Sequence, residues 1–286
     1  MKDKKPKSDL KKNAYHFQEW NGNEDKLELI DKKLMIIPPG IFKLEGLKWL
    51  SLNQNSISEI SPEISKLVNL EVLNLGKNKI NQISPQISQL TNLNQLSLQW
   101  NLLNEIPECI CHLKNLTNLS LSINKLSSLP ESFGTLTNLK SLDLSHNHFD
   151  SFPPQLKKLT SITNLRLVGN NCSSISPEIC SLRKLKECNL QANHLKSIPS
   201  EICLLSDTLS VLNLKNNFIM NLPSEIGSLK MLSELNLSSN HLIELPCSIK
   251  NLSNLTSLRI NDNGFIYLPP EIGKKKKKNQ KTITFI

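Results

Sequence analysis

The chain has 286 residues, of which only 5% are aromatic and nine are glycine, so it can bury a large aliphatic core but offers no glycine-rich loop to cradle a phosphate. Its formal charge of +9 sits at the ends: residues 1–12 hold six lysines and two aspartates, residues 274–286 hold six lysines and no acid, and the rest sums to about −1. Seven scattered cysteines, an odd count without paired capping motifs, point to free thiols in a reducing compartment.

The first 23 residues read as a basic arm. Met1 to Lys12 has no apolar core of the kind a secretory signal needs, and no stretch of the chain is long and apolar enough to span a membrane. Residues 14–20 are predicted as a short helix, with Phe17 and Trp20 at i, i+3 covering the first turn of the adjoining domain. The lysine runs at both ends are solvated charge, with capacity for weak contact with anionic lipid or nucleic acid. Deleting residues 1–12 should therefore leave the melting temperature unchanged, as differential scanning calorimetry would show. Any affinity for anionic vesicles should fall with the deletion and with added salt.

From about residue 24 to 273 one phrase recurs, Leu-x-x-Leu-x-Leu-x-x-Asn-x-Leu-x-x-Ile-Pro-x-x-Ile-x-x-Leu-x-Asn. Units begin at Leu47, Leu70, Leu93, Leu116, Leu139, Ile162, Leu185, Leu209, Leu232 and Leu255. The period is 23 residues throughout except for one step of 24, between Asn193 and Asn217. A degenerate unit precedes them, with Leu27, Leu29, Leu34, Ile37, Ile41 and Leu44 in place but Lys32 where asparagine belongs. Such a period predicts a solenoid of eleven turns, each too small to bury its own apolar face.

Every column of the repeat has a physical task. Leucines at positions 4 and 6 alternate with polar residues, the pattern of a short strand buried on one face. Stacked turns then give a parallel sheet of about eleven strands, roughly 50 Å long. Apolar residues at positions 1, 11, 14, 18 and 21 fill the interior. The position-9 asparagines, Asn55, Asn78, Asn101, Asn124, Asn147, Asn170, Asn193, Asn217, Asn240 and Asn263, can both donate and accept where the chain bends inward, and so form a structural ladder. Fourteen of the fifteen prolines fall at position 15 or 16. Proline fixes φ and has no N–H, which predicts short 3₁₀ or polyproline segments on a wider convex wall. The architecture expected is an α/β-type solenoid, a horseshoe with its sheet on the inside.

Outward columns near the sheet carry whatever is recognised. Position 5 is mostly small and polar. Position 8 places Trp100, Ile123 and His146 on three successive turns, with Leu102 and His148 at position 10 and Trp49 at position 3 of an earlier turn. Exposed apolar groups on adjacent turns mark a protein-binding patch, and tryptophan is enriched in hot spots. The competing structural role for Trp100 is to fold over the rim and shield the ladder. His148, His194 and His241 share position 10; at roughly 10 Å for each two turns, His194 is too far from either for a shared metal, so these read as solvated. Cys109 and Cys111 form a lone C-x-C, insufficient for a metal site. No serine or cysteine is paired recognisably with a base. Catalytic residues, metal and cofactor are therefore not expected.

The tail, residues 274–286, opens on five lysines and ends on Thr282–Ile286, strand-like in composition, with Ile283 at position 6 of what would be a twelfth turn. The unit as a whole resembles the 23-residue leucine-rich repeat with an LPxxIxxL convex segment. Leu129-Pro130-Glu131-Ser132-Phe133-Gly134-Thr135-Leu136 and Leu222-Pro223-Ser224-Glu225-Ile226-Gly227-Ser228-Leu229 show it. Repeats of this kind are similar to those of Ras-pathway scaffolds, of the Erbin and Scribble family, and of leucine-rich repeat proteins of Legionella and Leptospira. The resemblance implies recognition of a protein partner on the concave or ascending surface, and the chain is expected to be a monomeric, non-enzymatic module. Cytoplasmic action is the expectation; delivery of a bacterial effector into a host cytosol, without a classical signal, is the alternative.

Overall fold

The computed structural model describes residues 25–266 and the terminal strand Thr284–Phe285. The basic arm, the helix expected over 14–20 and the lysine tail at 274–278 lie outside the described residues.

Turn 1 is the degenerate unit; turns 2 to 11 begin at the ten residues from Leu47 to Leu255. In each, positions 3–5 form a three-residue strand, from Lys26–Glu28 and Trp49–Ser51 to Ser257–Arg259. These strands pair in sequence order, all parallel, with Leu50, Leu73, Leu96 and Leu119 in register. Eleven come from the repeats, and Thr284–Phe285 adds a twelfth among the described residues. Phe285 lies opposite Leu258, at position 4, where the 23-residue count would put Lys281, so the register that set Ile283 at position 6 does not hold. Register is held by apolar columns facing a core, and the lysine run supplies none, so the 23-residue count does not carry across it.

Leucine and isoleucine at the repeat's apolar positions form one continuous buried core from Leu27 to Leu258. Phe133 and Phe149 are the largest fully buried side chains. Each buried leucine contributes roughly 1.5–3 kcal/mol relative to exposure. The convex wall carries ten 3₁₀ segments among the described residues, Pro62–Lys66 and Glu131–Thr135 being typical. The residues before them are extended in polyproline fashion, as at Pro107 (φ −70°, ψ 151°). The one 24-residue step is absorbed there: Ser200–Leu205 runs six residues and Ser206 continues in helical geometry, while Cys188 and Leu212 stay paired in the sheet. A small parallel pair, Glu59–Ile60 with Gln82–Ile83, was not anticipated.

The asparagine ladder runs backward along the stack. Each Oδ1 accepts from the position-11 N–H of the preceding turn, at 2.9–3.1 Å, as Asn147 does from Leu126. Each Nδ2 donates to the position-6 carbonyl of the preceding turn and to that of its own, as Asn147 does to Leu121 and Leu144. This direction explains Lys32. Among the described residues no turn stands behind turn 1 for a ladder residue to join, and its own Lys32 and Leu34 N–H groups are met by Asn55 Oδ1. A second, exposed ladder runs at position 23, where Asn69, Asn92, Asn115, Asn138 and Asn254 each donate to a carbonyl one turn back.

All seven cysteines are free. Burial pushes the thiols of Cys172, Cys180 and Cys188 up to about 12 from the ordinary 9.0. They should stay neutral and unreactive at pH 8, while exposed Cys247 reacts with an aromatic disulfide reagent at once. These thiols resist ionisation more in the fold than in the open chain. The stability they lend is therefore complete below pH 9.0 and is lost as pH rises towards about 12. Chemical denaturation at pH 8 and pH 11 should show that fall.

Candidate protein-binding surface

Position 8 is where the chain leaves the strand and turns towards the convex wall. In every turn from the second to the eleventh its residue has positive φ: Gln54, Lys77, Trp100, Ile123, His146, Gly169, Ala192, Asn216, Ser239 and Asp262. Left-handed backbone favours glycine or asparagine and disfavours β-branched and bulky residues. Trp100 at φ 57° and Ile123 at φ 55° therefore sit against local preference. Strain of this kind persists where the side chain has a task or the surroundings enforce the bend. Ile123→Gly should raise stability by about 1 kcal/mol, measured by urea denaturation. A loss instead would show that the side chain contributes more packing than the backbone costs.

Trp100 is 53% exposed and Leu102 40%. The adjoining rung is satisfied without the indole: Asn101 Oδ1 accepts from the Ile80 N–H, and its Nδ2 donates to the Leu75 and Leu98 carbonyls. Ile123 is half-buried, and His146 and His148 are exposed. The structure thus sets Trp100, Leu102, Ile123, His146 and His148 along one rim over turns 4 to 6. The His146 ring lies against Gly169, where an added Cβ would stand 2.5 Å from Nδ1. Glycine serves there because the imidazole of the preceding turn occupies the space. Trp49 is not part of this group. It lies in the concave strand of turn 2, roughly 10 Å down the stack, with Lys26 Nζ 5.3 Å from its ring centre. Ser51, in the position-5 column expected to face outward, is buried.

The same rim carries a second apolar stretch that sequence reasoning missed. Phe218 stands between His194 and His241 and stacks on both, with ring centres 5.5 Å apart. The two histidines are thus stacked on an aromatic ring, although all three groups remain exposed. Met220 and Ile243, with Ile266 beyond them, continue the stretch at position 12. The signal was in the position-10 and position-12 columns, read together rather than by residue type.

Among the described residues there is no cluster of three or more potential metal ligands, and no helix is long and apolar enough to cross a membrane. Family models match over residues 95–206 (leucine-rich repeat region), 45–103 (leucine rich repeat) and 231–252 (leucine rich repeat). A solved leucine-rich repeat protein of Leptospira interrogans is 30% identical, with a TM-score of 0.76, over 99% of this chain and 81% of that one. The chain belongs to the leucine-rich repeat family. An internalin of Listeria monocytogenes shares the fold at 23% identity and a TM-score of 0.71, covering 92% of this chain and 82% of its own. The Arabidopsis receptor kinase HAESA, solved in complex with a peptide hormone and a co-receptor, is 28% identical with a TM-score of 0.77. The match covers 96% of this chain but 48% of HAESA. No curated protein sequence matches. Leucine-rich repeat proteins are typically interaction modules rather than enzymes, and this one has the horseshoe that serves that role.

Proposed function

We propose that this leucine-rich repeat protein is a non-enzymatic recognition module that acts inside a cell and holds a protein partner against the rim of turns 4 to 6. Trp100 is the anchor, with Leu102, Ile123, His146 and His148 around it. The observation that carries this reading is the conjunction of exposure and strain. The bend at position 8 is left-handed in every turn from the second to the eleventh, a backbone that disfavours bulky and β-branched side chains, yet three successive turns place tryptophan, isoleucine and histidine there. HAESA, of the same fold, was solved with protein and peptide partners, which supports a polypeptide ligand.

The test is a pull-down from a cell lysate with the intact chain, with Trp100→Ala, and with Gln54→Ala as the control at the same position of turn 2. A partner retained by the intact chain and the control but lost from Trp100→Ala supports the rim. A partner retained equally by all three places the binding surface elsewhere. The likeness to a bacterial repeat protein supports a second reading, an effector delivered into a host cytosol. A secretion reporter fused to the chain tests it.

A further inference from the structure

The concave face of turns 7 to 11 differs from the rest of the sheet. Its strands line an open trough of about 190 Å³. Along position 5 run Arg166, Asn189, Asn213, Asn236 and Arg259. The asparagine amides there are fixed in orientation. Asn189, Asn213 and Asn236 each use Oδ1 to accept the backbone N–H two residues on, from Gln191, Lys215 and Ser238, all at 3.1 Å. A backbone N–H can only donate, so the amide oxygens are turned away and the NH₂ groups are left for other partners. Asn213 gives one to Gln191 Oε1. Neither Arg166 nor Arg259 has an ion pair among the described residues, although Asp143 pairs with Arg166 in strand register. The column is a row of donors with a guanidinium at each end.

Two residues earlier, on the same face, the position-3 column reads Asn164, Glu187, Val211, Glu234 and Ser257. It supplies carboxylate acceptors between the two arginines. A nucleic acid or sulfated glycan, rich in acceptors and anionic throughout, would meet repulsion from Glu187, Glu234 and Asp143. A polypeptide has both N–H donors and C=O acceptors in its backbone and meets both columns.

We propose that this trough binds a short extended peptide lying across the strands, with one carboxylate on Arg166 and another on Arg259. Four strand steps separate the arginines, roughly 19 Å. An extended chain rises about 3.3 Å per residue and repeats its side-chain direction every second residue. Acidic residues about six positions apart therefore project from one face at the separation of the two guanidiniums, and acceptor side chains at the intervening positions of that face, such as serine or threonine hydroxyls, meet the asparagine NH₂ groups. Arginine offers a planar fork for each carboxylate. The site deepens the reading of the chain as a recognition module by naming a partner class, but it shares no residue with the rim.

The test is fluorescence anisotropy with the labelled peptide Asp-Ser-Thr-Ser-Thr-Ser-Asp and the whole chain. The comparison peptide is Asp-Ser-Thr-Ser-Thr-Asp-Ser, whose carboxylates leave opposite faces. The expected result is a Kd below about 1 mM for the first, at least roughly fivefold weaker binding of the second, and a loss of about tenfold in each of Arg166→Ala and Arg259→Ala. Trp100→Ala should bind the peptide as the unaltered chain does. A failure here would therefore leave the rim standing, and a failure of the rim would leave this result intact. Circular dichroism confirms that the arginine variants are folded. Equal binding of the two peptides, binding indifferent to either arginine, no binding at millimolar concentration, or tighter binding of a heparin oligosaccharide overturns the proposal.

Discussion

Asn147→Ala should lower the free energy of unfolding by about 3 kcal/mol, an effect expected equally of the other buried rungs of the ladder such as Asn170 and Asn193. Asn147 is 4% exposed. Its removal orphans the Leu126 N–H and takes one donor each from the Leu121 and Leu144 carbonyls, all in the buried seam between turns 5 and 6. A buried group without a partner costs about 1–3 kcal/mol. Turns are stabilised by their neighbours, so the damage should spread and broaden the urea transition. Asn147→Asp is the sharper variant: it keeps an acceptor for Leu126 but loses both donated bonds and buries a charge. It should be at least as destabilising. An unchanged midpoint and slope for either would show that the ladder is decoration on a stack held by leucine alone.

Trp100→Ala should weaken partner binding at least roughly tenfold without unfolding the chain, since a desolvated tryptophan anchor contributes about 2 kcal/mol or more. The side chain is 53% exposed in the free protein, so its truncation opens no core cavity. Removing it from left-handed backbone costs the fold nothing in conformational strain. Stability and affinity should therefore separate: the melting temperature holds while the dissociation constant rises. Ser and Asn neighbours on the concave face, such as Ser97 and Ser120, should change little when truncated. If Trp100→Ala melts the chain, the indole is part of the scaffold and the rim is not an anchor.

The stack could be read from the sequence because its period repeats: each leucine column is confirmed ten times over, and the prolines mark the convex wall independently. The asparagine ladder was legible for the same reason, though its backward direction, and hence the reason for Lys32, needed coordinates. The left-handed backbone at position 8 was not legible. Residues as different as Lys77, Ile123 and Asp262 occupy it, and no glycine or asparagine preference marks it. Trp49 and Trp100 looked alike as exposed tryptophans, yet one lies in a strand under Lys26 and the other in the bend beyond a strand. Phe218 was hidden because its two histidine neighbours are remote in sequence and meet only through stacking. The terminal strand was visible in composition but not in register, because no repeat carries the count across the lysines.

Site-specific photocrosslinking tests the central claim most directly. A benzophenone amino acid replaces Leu102, on the rim beside Trp100, in one protein, and Gln155, on the convex wall, in another. Recognition at the rim predicts a covalent adduct with a single protein partner from position 102, abolished by Trp100→Ala, and none from position 155. Adducts from position 155 with none from position 102 would contradict it, and would move recognition to the convex wall.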